Sequence, residues 1–371
     1  MPNLFGSGRF LFVVPPLAGH VNPTVAVGRE LMRRGHQVAW AGPAEAVGPL
    51  LGRGATLFPA EDQALTDRLT AAREDWLTLC GPTAPRFLWE EFIVPLGHAM
   101  LPGVETAISR FRPDAIITDQ QALAGGVAAR RHDLPWATSA TTPVPEATPH
   151  HPPMDLGFSD HLVLVFSTET LIGSTEEFPD HFAFVGPALN RPALNRPARG
   201  DFPWEQLADD RPKLLVRLET VADPAGARFL DAAAEAVADL DVQAIFVSAP
   251  LTRHPRNVLV RDRVPQLALL PHLSAVVSDG GHDTVCETLA HGLPLVVAPI
   301  RDDQSIIARQ VAASGAGIAV RFAQVRAAEL RDVITGVLTD AAYRTAARAV
   351  QSSFAAAGGT TAAADRLEKL L

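Results

Sequence analysis

Cysteine is scarce in this chain: Cys80 and Cys286 are the only two in 371 residues. Two thiols so far apart supply no disulfide framework and read as those of a reduced, intracellular protein. Charge is sparse as well. Charged residues make up 20% of the chain against 47% hydrophobic ones, which excludes a disordered polypeptide and supports well-filled cores. Positive charge is in the minority, 32 Lys+Arg against 41 Asp+Glu for a net −9. That balance excludes a general nucleic-acid or anionic-membrane surface, while leaving room for one local anion site built from backbone amides. No apolar run reaches the length of a membrane span. The run Arg9-Phe10-Leu11-Phe12-Val13-Val14 is cut by Pro15-Pro16 and lacks the basic segment and long apolar stretch of a signal peptide. The expectation is a cytoplasmic protein with neither a nucleic-acid nor a membrane partner; a homodimer is compatible with the sequence.

What is present is an alternation of short apolar runs and helical stretches, in a chain long enough for two domains. Phe10 to Val14 reads as a strand covered on both faces, and Gln37 to Ala41, Ala55 to Phe58, Ala115 to Thr118, Trp136 to Ser139 and Leu162 to Ser167 read as further strands of the same sheet. Pro23 is expected to open the first helix, which Gly35 stops. Residues 60 to 103 read as an irregular helical insert broken by Gly81, Pro82, Pro85 and Pro95, of the kind that lines substrate clefts. A tandem duplication, Ala188-Leu189-Asn190-Arg191-Pro192 and Ala193-Leu194-Asn195-Arg196-Pro197, marks a proline-rich linker. The alternation then restarts with strands at Lys213 to Leu218, Gln243 to Ser248, Val258 to Val260, Ala275 to Ser278, Leu295 to Ala298 and Ile318 to Val320. The expected fold class is α/β, with two Rossmann-like doubly wound parallel-sheet domains facing a cleft. Their bounds are 1–187 and 213–371 around a linker at 188–212, with the last helices able to pack back on the first domain.

Chemistry-bearing residues gather where such sheets place functional loops. His20 lies between the first strand and first helix, in Gly19-His20-Val21-Asn22-Pro23, where an imidazole suits a general base. It could equally cap the helix or pack in the loop. Asp119 ends the strand of Arg112-Pro113-Asp114-Ala115-Ile116-Ile117-Thr118-Asp119, or else caps the Ala-rich helix that follows. Asp114, at the start of that strand, falls at the opposite edge of the sheet. In the second half, the strand Ala275 to Ser278 runs into Gly280-Gly281 and a helix near Thr284, and a second strand leads into a loop with Asp302, Asp303 and Gln304. A helix start beside a carboxylate/amide pair suits a phosphate-plus-sugar ligand. His254, His272 and His291 have no partner-like spacing, and His150-His151 in a proline-rich loop lacks the companions of a zinc site, so no metal is expected.

The block from Val264 to Gln304 resembles the donor-sugar signature of family 1 glycosyltransferases, GT-B enzymes that use nucleotide-diphosphate sugars. Glu287 and Asp303 stand sixteen positions apart, as in that motif, and Gly19-His20-x-x-Pro23 is similar to the family's catalytic-histidine loop. The resemblance extends through Asp119 and Phe184-Val185-Gly186-Pro187. It implies His20 as base with Asp119 orienting it. It also implies Val264 and Gln266 at the nucleobase, Gly280, Gly281, His282 and Thr284 at the phosphates, with Thr220 in the same donor region. Glu287 would meet the ribose hydroxyls, and Asp303 and Gln304 the transferred sugar. No cofactor is implied beyond the nucleotide sugar as co-substrate.

The chain departs from the pattern at the pyrophosphate loop. Asp279 stands where the family carries histidine, Asp283 where it carries glycine or asparagine, and Arg217-Leu218-Glu219-Thr220 where it carries a small-residue turn. A carboxylate about 4 Å from a phosphate costs a few kcal/mol at intermediate dielectric, so compensation is expected from Arg217 and secondarily from Arg301. Two functional expectations follow. One is an inverting transferase moving a hexose or deoxyhexose from a dTDP- or UDP-sugar to an apolar natural-product acceptor. Trp76, Phe87, Trp89 and Phe92 of the insert would meet that acceptor, unless they are ordinary core. The other is a relative that has lost donor use and acts on a natural-product intermediate by acid–base chemistry, as cyclase, lyase or isomerase, or serves as an auxiliary partner.

Overall fold

The apolar runs form strands because a sheet covered on both faces buries the side chains of its central strands, as in Ala115–Asp119 and Trp136–Ala140. The computed structural model describes residues 6–61, 86–143, 157–189, 202–218, 224–248, 254–300 and 302–371. In the first half the strands are β1 (Arg9–Val13), β2 (Gln37–Gly42), β3 (Thr56–Pro59), β4 (Ala115–Asp119), β5 (Trp136–Ala140), β6 (Leu162–Val165) and β7 (Phe182–Phe184). They pair in parallel in the order β3-β2-β1-β4-β5-β6-β7. In the second half β8 (Lys213–Arg217), β9 (Gln243–Val247), β10 (Val258–Arg261), β11 (Ala275–Ser278), β12 (Leu295–Val297) and β13 (Gly317–Ala319) make a second parallel sheet, β10-β9-β8-β11-β12-β13. The expected pair of Rossmann-like doubly wound domains is present. Strand order reverses at β1/β4 in one sheet and at β8/β11 in the other, and a doubly wound sheet binds ligands outside the carboxyl ends of such strands.

Two compact units result. One takes in Met1–Thr168, Glu176–Leu194 and Ala357–Leu371; the other takes in Glu169–Thr175 and Asn195–Ala356. In the first unit the helix Gly359–Leu367 packs on the helix Ala18–Arg33. Ala363, Ala364 and Leu367 are buried in one cluster with Phe10, Phe12, Val25 and Trp40. Polar contacts fix the same helix. Gly359 N donates to Val185 O, Arg34 donates to Asp365 (2.6 Å) and Glu368 (2.7 Å), and His36 Nε2 meets Glu368 Oε1 at 2.9 Å.

Three local expectations are corrected. The first helix starts at Ala18, and Pro23 lies inside it. His20 N and Val21 N already close the first turn on Leu17 O, and the bond that Pro23 cannot make would go to Gly19, an exposed residue whose carbonyl water can serve. Pro95 does not break the insert. A π-helical segment, Leu88–Ile93, immediately precedes the helix Val94–Phe111, and Val94 N reaches back to Trp89 O. The widened turn moves the carbonyls away from the proline ring. Asp303 and Gln304 belong to the first turn of a helix, Asp302–Ala313, rather than to a loop. Residues 62–85, with Trp76 and Cys80, lie outside the described residues, as do 190–201 of the linker and His150-His151.

The Arg33 guanidinium, with Arg34, holds the Glu30 carboxyl down to about 2. A value depressed below the ordinary 4.5 stabilises the fold fully above that pH, and the gain is lost as pH falls towards 2. Glu30→Gln is therefore expected to lower the melting temperature at pH 7 and to leave it nearly unchanged at the acid end. A melting-temperature difference that is constant with pH contradicts this.

Candidate active site

Three neighbouring strand ends of the first sheet assemble the first group. After β1 the chain turns through Pro15 and Pro16, with Leu17 N bonded to Pro15 O, and enters its helix with His20 in the first turn. Asp119 is the last residue of β4, beside β1 in the switch-point pair, and Thr141 follows the last residue of β5. His20 Nδ1 lies 2.9 Å from Asp119 Oδ1 and 2.7 Å from Thr141 Oγ1, while Thr141 donates to Asp119 Oδ2 at 2.8 Å. Gln121 N donates to Asp119 Oδ1 at 2.9 Å. All three side chains are buried, His20 at 8% exposure and Asp119 at 1%, so their polar atoms must satisfy one another.

The structure thus joins His20 and Asp119, and neither is a helix cap. The helix Leu123–Arg131 has Ala122 at its N-cap position, without a side-chain cap. Gly125 lets this helix close on β4, because a Cβ there would stand 2.4 Å from Thr118 Oγ1. Asp114 accepts from Arg9 N at the other end of the strand. Thr141 was not expected. Its signal in the sequence was its place two residues after the run Trp136 to Ser139, the next strand end along from Asp119.

In the second unit the loop after β11 carries Asp279, Gly280 and Gly281 into the helix His282–Ala290, two residues earlier than expected. Gly280 has φ +91°, and a Cβ on it would meet Val297 Cγ1 at 2.7 Å, so the turn requires glycine. Asp279 is fully buried, and its Oδ1 accepts from Gly281 N at 3.5 Å. Asp283 sits in the helix's first turn, where a carboxylate suits the dipole. His282 lies against Cys286 Sγ, 3.6 Å away.

Arg217, at the end of β8 and in register with Ser278, donates to Gln266 Oε1 at 2.7 Å rather than to the acids of the loop. Gln266 Nε2 in turn donates to Glu287 Oε2 at 2.6 Å. The compensation expected of Arg217 is therefore directed into an Arg217–Gln266–Glu287 line. Gln266 and Glu287 are buried. Val264 O accepts from Gln266 N at 2.9 Å, and Thr284 is buried one turn before Glu287 and Thr288. Asp303 Oδ1 accepts from Gln304 N, and Gln304 Oε1 from Ile300 N at 2.9 Å, so this pair closes its own helix start. Glu219, Thr220 and Arg301 lie outside the described residues.

Of the insert's aromatics, Phe92 is core, packed with Leu96 and Met100, whereas Phe87 and Trp89 are half-buried. Among the described residues, no three His, Cys, Asp or Glu side chains converge to hold a metal ion, and no helix is long and apolar enough to cross a membrane.

Residues 227–370 match the family described as Erythromycin biosynthesis protein CIII-like, C-terminal domain. The chain is 29% identical to demethyllactenocin mycarosyltransferase of Streptomyces fradiae, over 97% of its own length and 86% of that enzyme's. Its fold matches the calicheamicin glycosyltransferase CalG4 with a TM-score of 0.80 at 24% identity, covering 99% of this chain and 98% of that one. It also matches the spinosyn rhamnosyltransferase SpnG complexed with thymidine diphosphate, with a TM-score of 0.75 at 25% identity over 97% and 100% of the two chains. The chain has a GT-B-like architecture and is related to the glycosyltransferases of natural-product biosynthesis.

Proposed function

We propose that this protein is an inverting glycosyltransferase that moves a hexose or deoxyhexose from a dTDP- or UDP-sugar to a hydroxyl or phenol of an apolar natural-product acceptor. The observation that carries the reading is the buried contact of His20 Nδ1 with Asp119 at the β1/β4 switch point. With Nδ1 engaged by the carboxylate, Nε2 is the nitrogen that takes the acceptor's proton. The acceptor oxygen then forms a bond to the anomeric carbon as that carbon's bond to phosphate breaks. The nucleoside diphosphate leaves with the electron pair, and direct displacement inverts the centre. Asp119 offsets the charge of the imidazolium; half-buried Phe87 and Trp89 supply apolar surface on the same unit.

On this reading Glu287 takes a ribose hydroxyl and the amides of the Gly281–Thr284 turn take the phosphates. Gln266 already occupies Glu287 Oε2, so Glu287 serves fewer hydroxyls than a bare carboxylate. That favours the single deoxyribose hydroxyl of dTDP over the two ribose hydroxyls of UDP. Calorimetric titration is expected to show dTDP bound at sub-millimolar concentration and about tenfold more tightly than UDP. Gln266→Leu should narrow the gap.

A second reading draws on Asp279. Its carboxylate engages Gly281 N, an amide that a pyrophosphate would need. A protein that had abandoned the donor would keep this arrangement and use His20 and Asp119 for acid–base chemistry on a natural-product intermediate, as cyclase, lyase or isomerase, or would serve as an auxiliary partner. The same titration separates the two. Absence of binding by either nucleotide, with activity retained on a small molecule alone, overturns the transferase; tight dTDP binding overturns the abandoned site.

A further inference from the structure

His20, Asp119 and Thr141 form a closed triangle of polar contacts, and their protons fit in one arrangement. The Thr141 hydroxyl has a single proton, which goes to Asp119 Oδ2 at 2.8 Å. The 2.7 Å contact with His20 Nδ1 must then be an Nδ1–H donating to the Thr141 oxygen, shared with Asp119 Oδ1 at 2.9 Å. Were Thr141 to donate to Nδ1 instead, Nδ1 and Asp119 Oδ1 would face each other at 2.9 Å as two acceptors. Gln121 N supplies the remaining donor to Asp119. Every group in the triangle is buried, so water cannot replace a missing member.

We propose that Thr141 is a positioning residue for His20, holding the imidazole plane from a second direction and drawing charge from the Asp119 carboxylate. The proposal deepens the reading of His20 as the base and rests on it for its consequence in turnover. Asp119 alone would grip Nδ1–H along one line and favour the imidazolium strongly. With Thr141 donating to its other oxygen, the carboxylate orients the ring and still leaves it ready to accept a proton at Nε2.

The test needs no substrate. Proton NMR of the full chain, with His20→Gln to identify the signals, is expected to show the Nδ1–H of His20 as a downfield resonance, as for an imidazole donating to a buried carboxylate. Thr141→Val removes both contacts at similar volume. The resonance should then move further downfield, and half-protonation of His20 should rise by about one pH unit. Thr141→Ala should do the same should valine not be tolerated, and Thr141→Ser should restore the original values. Unchanged resonance and titration in both the valine and alanine variants overturn the proposal, as does failure of serine to restore them. Because no turnover is measured, these outcomes stand apart from the transferase reading. Activity surviving in His20→Ala would remove the base while leaving the triangle untouched.

Discussion

Replacing His20 with alanine is expected to lower turnover by at least ~10²-fold, the usual contribution of a positioned general base, with the fold intact. The fold survives because the carboxylate that loses its histidine is not stranded. Asp119 keeps the amide of Gln121 and the hydroxyl of Thr141 as donors. Circular dichroism and a melting curve should match those of the unaltered protein. Asp119→Asn should fall in the same direction, because the ring loses the charge that stabilises its protonated form. Near-normal rates in His20→Ala, with any dTDP- or UDP-sugar and an apolar phenol that the parent protein glycosylates, would take His20 out of the mechanism.

The largest expected effect on stability lies far from that site in sequence. Leu367 is fully buried against the cluster that holds Phe10, Phe12 and Trp40. Leu367→Ala should cost about 2–5 kcal/mol. Removing residues 359–371 should do more. It uncovers the face of the helix Ala18–Arg33, strips Glu368 from His36 and Arg34, and takes Gly359 N from Val185 O. We expect the shortened chain to lose the cooperative melting of the first unit while the β8–β13 sheet still melts as one. A truncated protein with an unchanged melting profile would show that this helix is an appendage rather than part of the core.

Legibility in the sequence followed burial. Ala275–Ser278 and the run Trp136 to Ser139 were readable because a strand sandwiched between helices is built of apolar and small residues with no charge among them. β7, at three residues, is too short for any period to register. Asp119 was readable because an acid ending an apolar run breaks its pattern. Thr141 was not, since a threonine beside Thr142 and Pro143 looks like loop composition until the Asp119–Ser139 register sets the strand ends side by side. The Arg217 guanidinium illustrates a different limit. Its charge suggested the acids of the loop as partners, but the partner is an uncharged amide at Gln266, the first residue of a short helix, set by proximity rather than by sign. Pro23 and Pro95 were overread as helix signals, because a proline forbids one hydrogen bond and not a helix.

The return of residues 357–371 to the first unit has a consequence for how the chain is made. At a synthesis rate of about 5–20 residues per second, the roughly 160 residues between the two parts take on the order of ten to thirty seconds to emerge. Throughout that interval the β1–β7 sheet has been synthesised while the groove along its first helix waits for its last occupant. The first unit to appear is therefore the last to be finished.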